Sequence, residues 1–232
     1  LDPVVRLWLK ALPPRTPYPA DLTAAERALC ISVAPFTMTG PDRVIALANS
    51  VKYVVHNAIP GAIVECGVWR GGSMMAAAKT LLEIGAAPRD LYLFDTFEGM
   101  TPASDIDRDA LGRSGSDILA ASPRVSDFRA RVADFSRYAL GPADETFNMW
   151  CIASEDDVRQ NMSSTGYPSD RVYLVKGRVE DTIPAQAPET IALLRLDTDW
   201  YASTKHELDH LYARLSPGGV LIALVKPQFE VG

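Results

Sequence analysis

Three apolar runs in this chain each end on acids, and those acids are where it could do chemistry. Ile191 to Leu196 (IALLRL) runs into Asp197-Thr198-Asp199-Trp200-Tyr201. Two carboxylates two residues apart can divide a task. One can hold a divalent cation while the other takes a proton from a substrate hydroxyl. The plain alternative for Asp199 is to cap the helix that comes next. Ala62-Ile63-Val64 ends on Glu65, then Gly67, then Gly71-Gly72 and Ser73. Leu91 to Phe94 (LYLF) ends on Asp95. His206 and His210 are four apart on one helix but have no Glu in the H-E-x-x-H sense, so they read as helix surface.

A strand, a glycine-rich turn and the helix formers MMAAAKTLLEIGA together open a nucleotide-type α/β unit. The glycines let backbone come close to a ligand, and the helix N-terminus offers free N–H groups. Gly67-x-x-x-Gly71-Gly72 is neither G-x-G-x-x-G nor a P-loop. An acid just before the first glycine suits a ligand with a positive end, such as the amino group of a methionine moiety. That points to S-adenosylmethionine; a tight turn with no ligand is the alternative. Asp95 lies about 30 residues after Glu65, at the end of the second strand, where an acid can accept both ribose hydroxyls. The alternative is a solvated acid capping a loop.

Several elements could position these residues. Residues 1–41 read as an N-terminal arm and linker. Val4 to Leu9 could form a short apolar helix bearing Trp8, and Pro13, Pro14, Pro17 and Pro19 stiffen the linker. Residues 42–232 read as one α/β domain. Asp42 to Ile59 has helical apolar spacing through Val44, Leu47, Ala48, Val51, Val54, Val55 and Ala58. Residues 100–170 read as a cap insertion, with Asp105, Asp107 and Asp109 in a loop and Phe128, Val132 and Phe135 on a helix face. Those aspartates resemble a calcium loop only loosely, because the glycine and the closing glutamate are misplaced. Arg171 to Val175 and Val220 to Val225 predict further strands. Ser203 to Leu215 predicts a helix capped by Ser203, with Leu208, Leu211, Tyr212 and Leu215 on one face, and Pro217-Gly218-Gly219 predicts a turn.

The chain's 232 residues suit one α/β domain with an extension. A net charge of −6 disfavours nonspecific nucleic-acid binding. The three cysteines Cys30, Cys66 and Cys151 lie far apart, which argues against a disulfide framework or a zinc site. With no transmembrane run and no signal peptide, a cytoplasmic location is expected. The chain begins at Leu1, so something upstream is expected to have been removed or left out. A sheet ending at VLIALV exposes an apolar edge, so a homo-oligomer or further covering residues are expected.

VECGVWRGGS, LYLFDTFEGM and LRLDTDWYASTKHELDHLYARLSPGGVLI, in that order, resemble the macrocin O-methyltransferase family. The likeness runs from about Asp42 to Ile222. It implies a Rossmann-like class I methyltransferase: α/β, with a doubly wound, mostly parallel sheet of seven strands. It implies S-adenosylmethionine contacts from Glu65, Gly67, Gly71, Ser73 and Asp95, a Mg2+ ligand at Asp197 and a base at Asp199. The acceptor would be a small-molecule hydroxyl, chiefly on a sugar of a natural product. The family's aspartate pair after the fifth strand is absent, and so are its last two strands, which puts magnesium in doubt. The tail LVKPQFEVG is similar to hemolysin A-like ribosomal RNA 2′-O-methyltransferases, with Lys226 in the place of a catalytic lysine. Two other readings therefore stand beside the first: an RNA 2′-O-methyltransferase using Lys226, and a catalytically inactive binding module on the same fold.

Overall fold

The computed structural model describes residues 18–108, 112–117 and 151–224. The expected arm helix with Trp8, the helix face of Phe128, Val132 and Phe135, and the tail with Lys226 lie outside the described residues.

Five parallel strands form one sheet in the order β3-β2-β1-β4-β5. They are β1 (Ala62–Cys66), β2 (Leu91–Asp95), β3 (Val172–Lys176), β4 (Ile191–Leu196) and β5 (Leu215–Ala223). The helices are α1 (Ala24–Val33), α2 (Pro41–His56), α3 (Gly72–Glu83), α4 (Glu155–Ser163), α5 (Val179–Thr182) and α6 (Tyr201–Leu211). Every residue of β1 and β4 is buried, as a parallel sheet covered on both faces requires. Ile63 and Leu193 face one layer, with apolar residues of α1, α2, α3 and α4. Val64 and Leu194 face the other, with Val179, Ile183 and Leu211. The sheet is thus doubly wound. Its strand order reverses between β1 and β4, and the crevice at that point lies outside their carboxyl ends.

Several expectations shift in detail. The boundary at residue 41 falls inside packed structure. Thr23 and Glu26 close a capping box on α1, and Cys30 and Val33 are buried in the same core as α2 and α3. Part of the expected cap is α4, the crossover between β2 and β3, which packs Val158 and Met162 into the core. Pro217-Gly218-Gly219 is not a separate turn. It lies within β5, where the register jumps from Ile191 opposite Leu215 to Leu193 opposite Val220. The helix expected over 203–215 is α6, whose buried residues are Ser203, Glu207 and Leu211, while Tyr212 is 63% exposed. Ser203 does not cap it. From inside the helix, Ser203 donates to Glu180 at 2.8 Å.

Candidate functional site

Glu65 and Arg195 are register partners on adjacent strands and sit on the same face of the sheet. Both are buried, Glu65 at 1% exposure and Arg195 at 2%. A guanidinium needs a counter-charge at that depth, and one Nη1 makes ion pairs with both Glu65 and Asp197, the latter at 2.8 Å. The cation that Glu65 meets in this structure is Arg195. Two carboxylates share one guanidinium, and the more buried of them resists ionisation. Burial pushes the Glu65 carboxyl up to about 8 against the pull of Arg195, with the charges of Asp197 and Asp95 adding to the rise. Burial also works against the charge of Arg195, but the two carboxylates more than offset it and raise its pKa. Asp197 is 20% exposed and keeps contact with the crevice.

A group whose folded pKa is raised binds its proton more tightly folded than unfolded. Its contribution to stability is complete below the unfolded value, near 4.5, and is lost as the pH rises through about 8. Glu65→Gln is expected to remove that part of the decline in thermal midpoint between pH 5 and pH 8. A pH series of melting curves on both proteins checks this, and parallel curves would count against it.

Asp95 shapes the glycine turn. Its Oδ2 accepts the backbone N–H groups of Val68 at 2.6 Å and Trp69 at 3.0 Å, and its Oδ1 accepts that of Phe97 at 2.9 Å. Burial raises its pKa while those three donors oppose the rise. The residue is only half-buried. Trp69 and Phe97 both hold positive φ, a conformation that bound amides help to fix.

The other turn residues have separate reasons to be where they are. Gly67 has φ +81, and a Cβ there would lie 2.7 Å from the backbone carbonyl of Asp197. The glycine turn and the loop after β4 therefore touch backbone to backbone. Gly71 has φ +88 and is the N-cap of α3, which has no side-chain cap among the described residues. Ser73, 6% exposed, lies in the first turn. An uncapped helix N-terminus with a serine in its first turn suits a carboxylate. Arg70, which sequence reasoning passed over, staples the turn. Its Nε donates to Asp157 at 2.9 Å, its Nη1 donates to the Pro35 carbonyl at 3.0 Å, and Asn161 donates to its carbonyl at 3.0 Å. The signal was an arginine between glycines, whose partners lie far along the chain.

The loop after β4 is held from below. Thr198, between the two candidate acids, donates to the fully buried Glu207 at 3.1 Å. Asp199 is half-buried two residues beyond Asp197. The structure thus brings Glu65, Gly67, Asp197 and, through the turn, Asp95 and Ser73 to one end of the sheet. His206 and His210 lie elsewhere, with His206 Nε2 3.0 Å from the Ile183 carbonyl. Among the described residues no group of three or more His, Cys, Asp and Glu could hold a metal ion. A divalent cation needs several oxygen ligands at once, and these residues do not group three for it. They do fit an amino-acid end: Asp197 for an ammonium, and the α3 N-terminus with Ser73 for a carboxylate. No helix among the described residues is long and apolar enough to cross a membrane.

Comparison with known proteins adds independent findings. Residues 21–149 and 141–224 match the model of a family described as Macrocin-O-methyltransferase (TylF). A Streptomyces olivaceus protein, 8-demethyl-8-(2,3-dimethoxy-alpha-L-rhamnosyl)-tetracenomycin-C 4'-O-methyltransferase, is 32% identical over 80% of this chain and 60% of its own length. Demethyldecarbamoylnovobiocin O-methyltransferase of Streptomyces niveus is 30% identical over the same shares. Mycinamicin III 3''-O-methyltransferase of Micromonospora griseorubida is 29% identical over 80% of this chain and 63% of its own. The chain therefore spans about 60% of the length of these relatives. Among solved structures, the O-methyltransferase NovP superposes with a TM-score of 0.57 at 29% identity, over 81% of this chain and 66% of that one. Calicheamicin methyltransferase CalS11 shares the fold, with a TM-score of 0.51 at 20% identity over 78% of this chain and 62% of that one.

Proposed function

Because the chain belongs to the macrocin O-methyltransferase family, we propose that it is an S-adenosylmethionine-dependent O-methyltransferase acting on a sugar hydroxyl of a natural product. The observation that carries this is the meeting of the Gly67 turn with the Asp197 loop at the switch point of the sheet, with Asp95 beside it. The relatives' names support the acceptor class, since one carries a rhamnosyl group. When bound, S-adenosylmethionine supplies an electrophilic methyl group on its sulfonium. The α3 N-terminus and Ser73 would hold its carboxylate, Asp197 its ammonium and Asp95 its ribose, while Gly67 and Gly71 would give the backbone room. Glu65 acts through Arg195, which fixes Asp197. Asp199 would take the proton from the acceptor hydroxyl. Positioning can supply a large part of the acceleration in such a methyl transfer. The enzyme is proposed to be cytoplasmic.

The test is methyl transfer from labelled S-adenosylmethionine to glycosylated natural products with free sugar hydroxyls, rhamnosides first, followed by mass spectrometry. Failure to bind S-adenosylhomocysteine by calorimetry would overturn the proposal. Asp95→Ala is expected to weaken that binding by about 1–3 kcal/mol, since the turn loses its bound amides and the nucleoside loses an acceptor. An unchanged affinity would remove Asp95 from the site.

A further inference from the structure

The segment after β2 does not turn straight back to the sheet. Residues 100–108 reach the loop after β4, and β1 lies between those two strands. The segment must therefore pass over the carboxyl end of β1, where the glycine turn begins. Three contacts fasten it on the far side. The Trp200 indole N–H donates to the Thr101 carbonyl at 2.7 Å. The Tyr201 backbone N–H, at the first residue of α6, donates to Asp107 Oδ1 at 2.9 Å. Gly115 sits so close that a Cβ there would lie 2.9 Å from both the Trp200 ring and Ala103.

Asp107 is the centre of this fastening. It is 9% exposed. Its Oδ2 accepts from the Ser104 N–H at 2.7 Å and the Ser104 hydroxyl at 2.6 Å. Its carbonyl accepts from the Gly115 N–H at 2.7 Å. Trp200, the N-cap residue of α6, offers no side-chain hydrogen bond to the helix. A carboxylate from another loop does that work, and its charge also suits a helix N-terminus. One side chain thus ties two loops together, one leaving β2 and the other carrying Asp197 and Asp199.

We propose that Asp107 is a positioning residue for the acceptor: it locks segment 100–108 onto the Asp197–Tyr201 loop, and so fixes the wall against which the acceptor hydroxyl meets Asp199. This rests on the methyl-transfer reading. The cofactor's side of the crevice has separate supports: the Gly67 turn, Ser73 and Asp95 make no hydrogen bond to the Asp107 carboxylate, and Asp197 is pinned at the end of β4 by its ion pair with Arg195 and by its N–H to the Cys66 carbonyl at 2.8 Å. Loss of the clasp should therefore act on the acceptor and spare the cofactor. A misplacement of about 1 Å is enough to lower turnover by up to about a hundredfold.

The test compares Asp107→Ala, Asp107→Asn and Trp200→Phe in the full chain. Asp107→Ala is expected to lower kcat/KM for the acceptor by about tenfold or more, with S-adenosylhomocysteine affinity held within about twofold. Amide exchange in the first turn of α6, residues 201–204, is expected to quicken in the same variant. Asp107→Asn keeps an oxygen for the Tyr201 N–H and should recover most of that protection and part of the turnover. Trp200→Phe, which loses the bond to Thr101 and the part of the ring that packs on Gly115, should fall between. Unchanged exchange in Asp107→Ala overturns the clasp, and so does a loss of cofactor affinity as large as the loss of turnover. If the unaltered chain binds no S-adenosylhomocysteine, the methyl-transfer reading fails by itself, and the exchange measurement still decides whether Asp107 holds the two loops.

Discussion

Arg195→Met is expected to lower stability by about 3–5 kcal/mol at pH 9, measured as a shift in urea midpoint. The guanidinium is 3% exposed and lies between Glu65 and Asp197. Removing it leaves Glu65 in a site that water does not reach and that holds no other cation among the described residues. The loss should be smaller at pH 6. There Glu65, whose carboxyl is pushed up to about 8, takes a proton and needs no counter-charge. A second substitution, Glu65→Met, should restore much of what the first removed, since an apolar pair of similar volume carries no desolvation cost. Asp197 can then turn to solvent, being already 20% exposed. A single-variant loss below about 1 kcal/mol at pH 9 would mean that the ion pair is not what holds these two strand ends.

The sheet was legible in the sequence because its signals are local. IALLRL and LYLF carry their own burial, the glycine turn sits between a strand and a run of helix formers, and acids mark the strand ends. What was not legible depends on partners far along the chain. An arginine inside an apolar strand demands a counter-charge, yet nothing near it in sequence says that Glu65, 130 positions away, supplies it. Read locally, the acid before Gly67 suggests a ligand's cation, whereas the fold places a protein cation there. The start of α6 shows the same limit. Ser203 looks like a cap by type, but the group that caps is Asp107, 94 residues earlier. Among spaced aspartates, composition cannot distinguish a metal loop from a clasp. Pro217-Gly218-Gly219 has turn chemistry, and only the register with β4 makes it an irregularity within a strand.

Gly67→Ala is expected to lower S-adenosylhomocysteine affinity by tenfold or more and methyl transfer by about a hundredfold. Two costs add at this position. The first is conformational: at φ +81 an L-residue carries roughly 1–2 kcal/mol of strain. The second is steric. A methyl group there would lie 2.7 Å from the carbonyl carbon and oxygen of Asp197 and 3.0 Å from the Thr198 nitrogen. Those are backbone atoms, pinned by the Asp197 N–H to the Cys66 carbonyl at 2.8 Å, and they cannot rotate away as a side-chain tip would. The loop carrying Asp197 and Asp199 must move bodily, and both cofactor and acceptor geometry move with it. Gly85→Ala separates the two costs. Gly85 also has positive φ, +61, but nothing lies within 4 Å of its would-be Cβ. Gly85→Ala should therefore lower stability by roughly 1 kcal/mol through strain alone and leave turnover intact. If the two variants lost stability equally and neither lost turnover, the close approach of the two loops would have no part in the chemistry.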